Sequence, residues 1–185
     1  MRYLILFLLS LAFNLQAQEP AVSINSNDGL QLQKTFLTDD SDKTESIIEF
    51  FHDYISTYNR YLADSNDLSS MDRAARHFNM PVMQFPTKAG PVVTLEHSKM
   101  VGNLTAFTNT IRQSGVASLK WEQLSVVSLR DNMALANNIA NALDANGKFL
   151  RRLTTLYILV ASEDGWRIAS IVPYSSDNVF QLQQP

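Results

Sequence analysis

At 185 residues the chain is long enough for one domain with its own core and too short for two of ordinary size. Hydrophobic residues make up 45% and charged residues 18%, which excludes a chain disordered throughout. A formal net charge of -3 gives no electrostatic reason to bind phosphate backbones, and the absence of cysteine excludes a disulfide framework, a thiol nucleophile and a lipid-modified cysteine. Nucleic acid is therefore not an expected partner.

The opening stretch, MRYLILFLLSLAFNLQAQEP, places Arg2 before an apolar run from Tyr3 to Phe13 and a polar segment containing Ala17. This reads as a secretory signal peptide over residues 1–17. The apolar run is shorter than the roughly 20 residues a spanning helix needs, so export without a stable membrane anchor is expected, to a periplasm rather than the extracellular medium. Residues 18–43 are rich in Gln, Ser, Asn and Asp without sustained periodicity and read as a flexible leader. The folded domain is expected over 44–176, with a C-terminal tail over 177–185.

From Thr44, a capping residue, Ile47, Phe51, Tyr54, Ile55, Tyr58 and Leu62 recur at helical spacing, predicting a helix to about Ala63. Asp67 caps a second predicted helix whose stripe is Leu68, Met71, Ala75 and Phe78, stopped by Pro81. The runs PVMQF and PVVTLEH read as short strands separated by PTKAG. A third helix follows, capped by Ser98, with Met100, Leu104, Phe107 and Ile111 on its apolar face and Gly115 as its stop. The last four runs, SLKWEQLSVVSL, MALANNIANALD, FLRRLTTLYILVA and WRIASIVPY, read as a meander joined by RDN, by ANGK with an Asn-Gly pair suited to a type I′ turn, and by SEDG. This order predicts an α+β domain with three helices on one face of a curved antiparallel sheet.

The runs FFHDYISTYNRYLADSNDLSSMDRAARHFNMPVMQF, SKMVGNLTAFTNTIRQSGV and RRLTTLYILVASEDGWRIASIVPYSS together resemble a nuclear transport factor 2-like domain, in the broad ketosteroid isomerase and polyketide cyclase grouping. The resemblance covers residues 44–176 and is carried by Tyr58-Asn59, TTLYILV and DGWRI in that order. It implies a cone: a strongly curved, cystatin-like antiparallel sheet wrapped around three helices, with a cavity at the open end and a homodimer through the convex face. Members include isomerases, dehydratases, cyclases and epoxide hydrolases as well as binding and association modules, so the fold does not choose a function. This chain differs in a longer stretch between Tyr58-Asn59 and the second helix, and in the small-residue segment Ala136 to Ala140.

On a helical wheel Tyr58 lies at the centre of the first helix's apolar face with Tyr54 beside it, while His52 falls on the flank and Asp53, Glu49 and Arg60 on the opposite side. His52 and Asp53 thus read as a solvated face, and Tyr54 and Tyr58 either as pocket lining or as core phenols bonded to backbone. In MALANNIANALD, Ala134, Ala136, Asn138, Ala140 and Ala142 share one face, where small side chains leave space and Asn138 either faces a cavity or bonds to a neighbouring strand. In FLRRLTTLYILVA, Leu153, Tyr157 and Leu159 share one face and Leu156, Ile158 and Val160 the other; both look buried, which also points to a homodimer.

His77 reads as a cap at the end of the second helix, or alternatively as an acid or base looking into the cone. Asp144 and Glu122 are the carboxylates with any prospect of an inward position. The histidines His52, His77 and His97 form no metal-ligand spacing, and no GxSxG elbow, P-loop or dinucleotide fingerprint is present, so neither metal nor cofactor is expected. The expected pocket residues are Tyr54, Tyr58, His77, Asn138 and Tyr157, with no catalytic residue assigned. The leading expectation is an exported domain holding a small apolar or amphipathic molecule. The alternatives are a lyase or isomerase using pocket tyrosines and a histidine, and an association module with a closed cavity.

Overall fold

A computed structural model describes residues 24–25, 31–32, 41–86 and 90–175. The signal-peptide reading over 1–17, most of the leader, the middle of the PTKAG turn and the tail over 177–185 lie outside the described residues. Two strands of two residues, β1 (Ile24–Asn25) and β2 (Gln31–Leu32), pair antiparallel within the leader segment. Three helices follow in the predicted order: α1 (Ser41–Ala63), α2 (Leu68–Ala75) and, after β3 (Phe78–Gln84) and β4 (Val92–Thr94), α3 (His97–Gln113). The chain then runs through β5 (Ser118–Arg130), β6 (Met133–Leu143), β7 (Phe149–Ser162) and β8 (Gly165–Pro173).

The main sheet has six strands in the order β4-β3-β8-β7-β6-β5. The meander from β5 to β8 is antiparallel as expected, but β3 joins β8 in parallel, so the sheet is mixed rather than wholly antiparallel. Register shifts mark irregularities in β5 between Trp121 and Gln123 and in the β7–β8 ladder at Ile158/Leu159, the kind of feature that bends a sheet. The helices fill the concave side, with α1 against α2, α3, β5 and β8. Ile47, Phe51, Tyr54, Tyr58 and Leu62 of α1 are all buried there with Met71, Met100, Leu159 and Ile168.

Several boundaries differ from the sequence reading. The first helix begins at Ser41, and Thr44 is buried inside it instead of capping it. Asp67 does cap α2, accepting from the Ser70 N–H at 3.2 Å. That helix stops at Ala75, and Phe78 opens β3 opposite Ile168, because pairing with β8 supplies backbone partners that a last helical turn before Pro81 would lack. Leu68, expected in the buried stripe, is 59% exposed. Ser98 does not cap α3; Glu96 holds that position in an extended conformation. Gly115, at φ 91°, closes α3 as expected: its N–H bonds to Arg112 and that of Val116 to Ile111, with both Val116 and Ile111 buried. In the β6–β7 turn only Gly147 takes a positive φ, so the turn is not type I′. Asp144 Oδ1 instead accepts from the N–H groups of Asn146 (2.8 Å) and Lys148 (2.9 Å), which holds a wider loop.

Helix α1 is pinned to the sheet at both ends. Near its start, Trp166 Nε1 of β8 donates to Ser46 Oγ at 3.0 Å. Near its end, the Asn59 amide grips Leu119 of the edge strand β5 twice, accepting from its N–H at 2.7 Å and donating to its carbonyl at 2.9 Å. An edge strand exposes unpaired backbone groups, and an amide side chain of this geometry satisfies one donor and one acceptor together.

Asn59→Ala leaves both Leu119 groups half-buried and unpaired, and is expected to lower unfolding free energy by about 2–3 kcal/mol in urea titrations. A loss under about 0.5 kcal/mol would show that solvent replaces the amide there.

Candidate functional site

Between α1, α3 and the concave face of the sheet lies a cavity of about 530 Å³. Its floor runs across four strands on one face: Leu119 and Trp121 of β5, Asn138 and Ala140 of β6, Leu153, Thr155 and Tyr157 of β7, and Ile171 and Pro173 of β8. Helix α1 adds Tyr54, Ile55 and Tyr58 as one wall, and α3 adds Asn103, Leu104, Ala106 and Phe107 as the other. Phe107, expected to be buried, is 46% exposed because it stands at this opening. The alternation read in β6 explains the space: Ala134, Ala136, Ala140 and Ala142 face inward with Asn138, and an alanine removes volume where a larger residue would fill it. Ala140 lies directly across from Trp121 and Ala136 from Tyr157, so each ring lies beside a small neighbour.

The phenols form an aromatic cluster. The Tyr54 and Tyr58 hydroxyls share a hydrogen bond of 2.8 Å, with ring centroids 5.0 Å apart and nearly perpendicular. Tyr157 stands 6.1 Å from Tyr54, and Phe51 packs edge-on against Tyr157 at 5.3 Å. Burial pushes the pKa of Tyr54, Tyr58 and Tyr157 upward, and repulsion between neighbouring phenolates, were Tyr157 ionised too, adds to the push on the other two. All three are protonated at neutral pH and present hydroxyl donors.

Trp121 and Asn138 also line the cavity, but Trp121 Nε1 and Asn138 Nδ2 are themselves buried in its wall and meet no hydrogen-bond partner there. Their residues are 5% and 2% exposed. Asn138 lies near enough to Tyr157 to oppose the upward push of burial on that phenol, yet its Nδ2 meets no acceptor in hydrogen-bonding geometry. An unpaired buried N–H costs about 1–3 kcal/mol, so two in one wall are a sizeable destabilisation. At the opening, Thr94 Oγ1 donates to Gln84 Oε1 at 3.0 Å, and Asn103 Nδ2 donates to the same oxygen at 3.3 Å.

Of the five expected pocket residues, Tyr54, Tyr58, Asn138 and Tyr157 line the cavity. His77 does not. It lies just beyond the end of α2, behind Tyr54 and Phe50, with ring centroids 5.3 and 5.0 Å away. Its Nδ1 meets the Arg73 carbonyl at 3.1 Å, the capping role, and so carries a proton. Nε2 faces Asp53 Oδ2 at 3.1 Å. Asp53 favours a second proton on the ring, but burial opposes it and is the larger effect, with the Arg167 charge acting in the same sense; the His77 pKa is lowered. Asp53 is more than half exposed and also pairs with Arg73 at 3.4 Å, which weakens its pull.

His52 is exposed, as the wheel predicts. Glu122 is paired with Arg152 at 2.6 Å and Asp144 holds the β6–β7 turn, so neither carboxylate enters the cavity. His97 pairs with Asp72 at 2.8 Å, away from the lining. Among the described residues no group of three or more His, Asp or Glu is placed to hold a metal, and no helix is long and apolar enough to cross a membrane. The sequence reading passed over Trp121, Thr155, Gln84 and Asn103. For Trp121 a signal existed, an inward indole on a strand next to a row of alanines; Gln84 and Asn103 meet only through the β3–β4 edge and α3.

The arrangement can enclose an apolar body and donate hydrogen bonds to it. Among the described residues its lining offers no carboxylate, imidazole or cation.

Residues 42–176 match the family described as NTF2-like protein (DUF6841), and the chain belongs to that family. No curated protein matches the chain by sequence. Among solved structures, Aln2 from a Streptomyces species is 12% identical with a TM-score of 0.57, covering 75% of this chain and 94% of its own. A domain of unknown function with a cystatin-like fold from Nostoc punctiforme is 15% identical with a TM-score of 0.56, covering 77% and 81%. An NTF-2 like protein of unknown function from Shewanella oneidensis is 13% identical with a TM-score of 0.51, covering 70% and 97%. At these identities the likeness is one of fold.

Because its pKa is lowered on folding, neutral His77 contributes stability above the unfolded value of about 6.5, and that contribution is lost as pH falls through the folded-state value. NMR titration is expected to give a His77 midpoint below about 6.5, and a lower one still in Asp53→Asn. A midpoint above about 6.5 would mean that Asp53 outweighs burial.

Proposed function

We propose that this chain is an exported small-molecule-binding protein whose cavity holds an apolar or amphipathic ligand. The observation that carries the reading is the cavity itself: about 530 Å³, within the roughly 300–1,000 Å³ of small-molecule sites, with an apolar lining broken only by phenols, an indole, a threonine and three amides. A lyase or isomerase that abstracts a proton needs a base beside the substrate. Here the phenols are held protonated and His77 lies outside the lining, so binding is the better supported reading. An association module with a closed cavity is disfavoured by the same volume. Export rests on the pattern of residues 1–17, MRYLILFLLSLAFNLQA.

The proposal includes a homodimer through the convex face. Leu135 of β6, Leu156 and Ile158 of β7 and Val172 of β8 form a half-buried apolar strip there, while neighbouring Asn137 is already covered within the chain and accepts from the Tyr174 hydroxyl at 2.7 Å. A second copy would cover the strip as it does in many symmetric assemblies.

Native mass spectrometry of protein purified from its own host is expected to show a shortened N-terminus, a dimer and a retained small-molecule mass. The neutral fluorophore N-phenyl-1-naphthylamine is expected to bind saturably, one per chain, and at least about tenfold more weakly in Ala140→Phe, which fills the floor. Absence of saturable binding by the wild-type protein would end the binding reading. Light scattering is expected to give a dimer for the wild type and a monomer for Ile158→Arg; a wild-type monomer at micromolar concentration would remove the dimer.

A further inference from the structure

Resting on the binding reading, we infer that the open end of the cavity docks on an anionic lipid bilayer, with Phe149 and Leu150 entering the interface and Lys148 and Arg151 meeting the head groups, so that the apolar ligand is exchanged with the membrane. The surface follows from register. Ser118 lies opposite Leu143 and Leu143 opposite Phe149, so the start of β5, the end of β6 and the start of β7 meet in one row. Arg151 Nη2 donates to Ser114 Oγ at 3.2 Å, which ties the end of α3 to the same place. Arg151 is opposite Ala142 as Leu153 is opposite Ala140, so both side chains start from the inner face. Leu153 lines the cavity and Arg151 stands one step further out. Phe107 and Val92, both exposed, belong to the lining itself and mark its opening.

The chemistry of this end selects its partner. Every residue from Ala145 to Arg152 is exposed, and the run carries two large apolar side chains next to each other, although polar ones there would leave the core unchanged. Cations flank them directly: Lys148 precedes, Arg151 and Arg152 follow, and Lys120 shares with Arg152 the neighbour Asn141 across the ladder. The carboxylates of the same strands and turn are engaged, Glu122 with Arg152 and Asp144 with N–H groups of its own turn. Apolar side chains that enter the boundary between head groups and acyl chains, beside cations drawn to an anionic surface, give peripheral membrane attachment. A second copy seated face to face would set these cations against their own equivalents, which disfavours a symmetric pairing here. The whole chain has a formal net charge of -3, so attraction to an anionic surface has to come from this local grouping. A ligand apolar enough for the cavity lining also partitions into bilayers, and docking by this end brings the opening to that source.

The test uses protein purified from its own host and sedimentation with vesicles of phosphatidylcholine, alone or with about 30% phosphatidylglycerol. The wild type is expected to bind the anionic vesicles at least about tenfold more tightly than the neutral ones, and to lose most of that preference when salt is raised from about 0.1 to about 0.5 M. Lys148→Glu with Arg151→Glu, and separately Phe149→Ser with Leu150→Ser, are each expected to weaken anionic-vesicle binding at least about tenfold. Saturable binding of N-phenyl-1-naphthylamine, measured without vesicles, is expected to stay within about twofold in both, since none of the four residues lines the cavity. No binding of the wild type to anionic vesicles, equal binding to both kinds of vesicle, or binding unchanged in both double variants overturns the docking surface and leaves the ligand-binding reading standing. Absence of naphthylamine binding by the wild type ends that reading and the exchange with the membrane, whatever the vesicles show. Vesicle-free self-association that Phe149→Ser with Leu150→Ser abolishes gives the face to a second copy, and vesicle binding that appears only after removal of residues 177–185 gives it to that segment; either result overturns the proposal. Should a double variant fail to fold, Phe149→Ser alone decides, and unchanged anionic-vesicle binding in it overturns the assignment.

Discussion

The attachment of helix α1 to the sheet at both ends is the constraint from which the rest of the molecule follows. Trp166 holds Ser46 near the start, and Asn59 holds both backbone groups of Leu119 near the end. With those two points set, the rotation of the helix about its axis is set as well, and the 3.6-residue period places Phe51, Tyr54 and Tyr58 against the concave face. A helix free to roll by one residue would swing these aromatics by about 100° and bring Asp53 or Asn59 to the core. Tyr54 and Tyr58 can share a hydrogen bond inside the cavity because polar contacts elsewhere fix where their backbone lies.

The interior divides into two kinds of surface. Around Phe51, Met71 and Ile168 it is a packed core with aromatic edges meeting faces. Along β6 it is left open by alanines, and the polar groups among the lining are phenols, an indole, a threonine and amides. A protein folding for stability alone would place Leu at 138 and a larger side chain at 140. The space left beside Ala140 and Asn138 is the departure from close packing that most needs a functional reason.

Much of this was legible beforehand. The three helices and four long strands come from local periodicity, which depends only on which residues face one way, and that is a property of the chain. The inward position of Asn138 followed from period-two alternation in MALANNIANALD, and the inward phenols from the wheel. The reading failed where a partner distant in sequence decides. Phe78 completed a helical stripe on paper but opens a strand because Ile168 is there to pair with it. His77 was a candidate for the cavity by proximity to Phe78, yet the end of α2 turns it towards Asp53 on the outer side of Tyr54.

The sequence by itself determined the elements, their order, the space along β6 and the identity of the groups able to fill or line it. Only the tertiary structure decided the parallel joining of β3 to β8, the exclusion of Glu122, Asp144 and His77 from the cavity, and the meeting of Trp121 with Asn138 on one wall. The physical reason is range: amphipathic periodicity acts over a few residues and can be read along the chain. Which strand edge meets which, and which ion pair holds a charged side chain outside, depends on groups brought together from positions 20 to 90 residues apart.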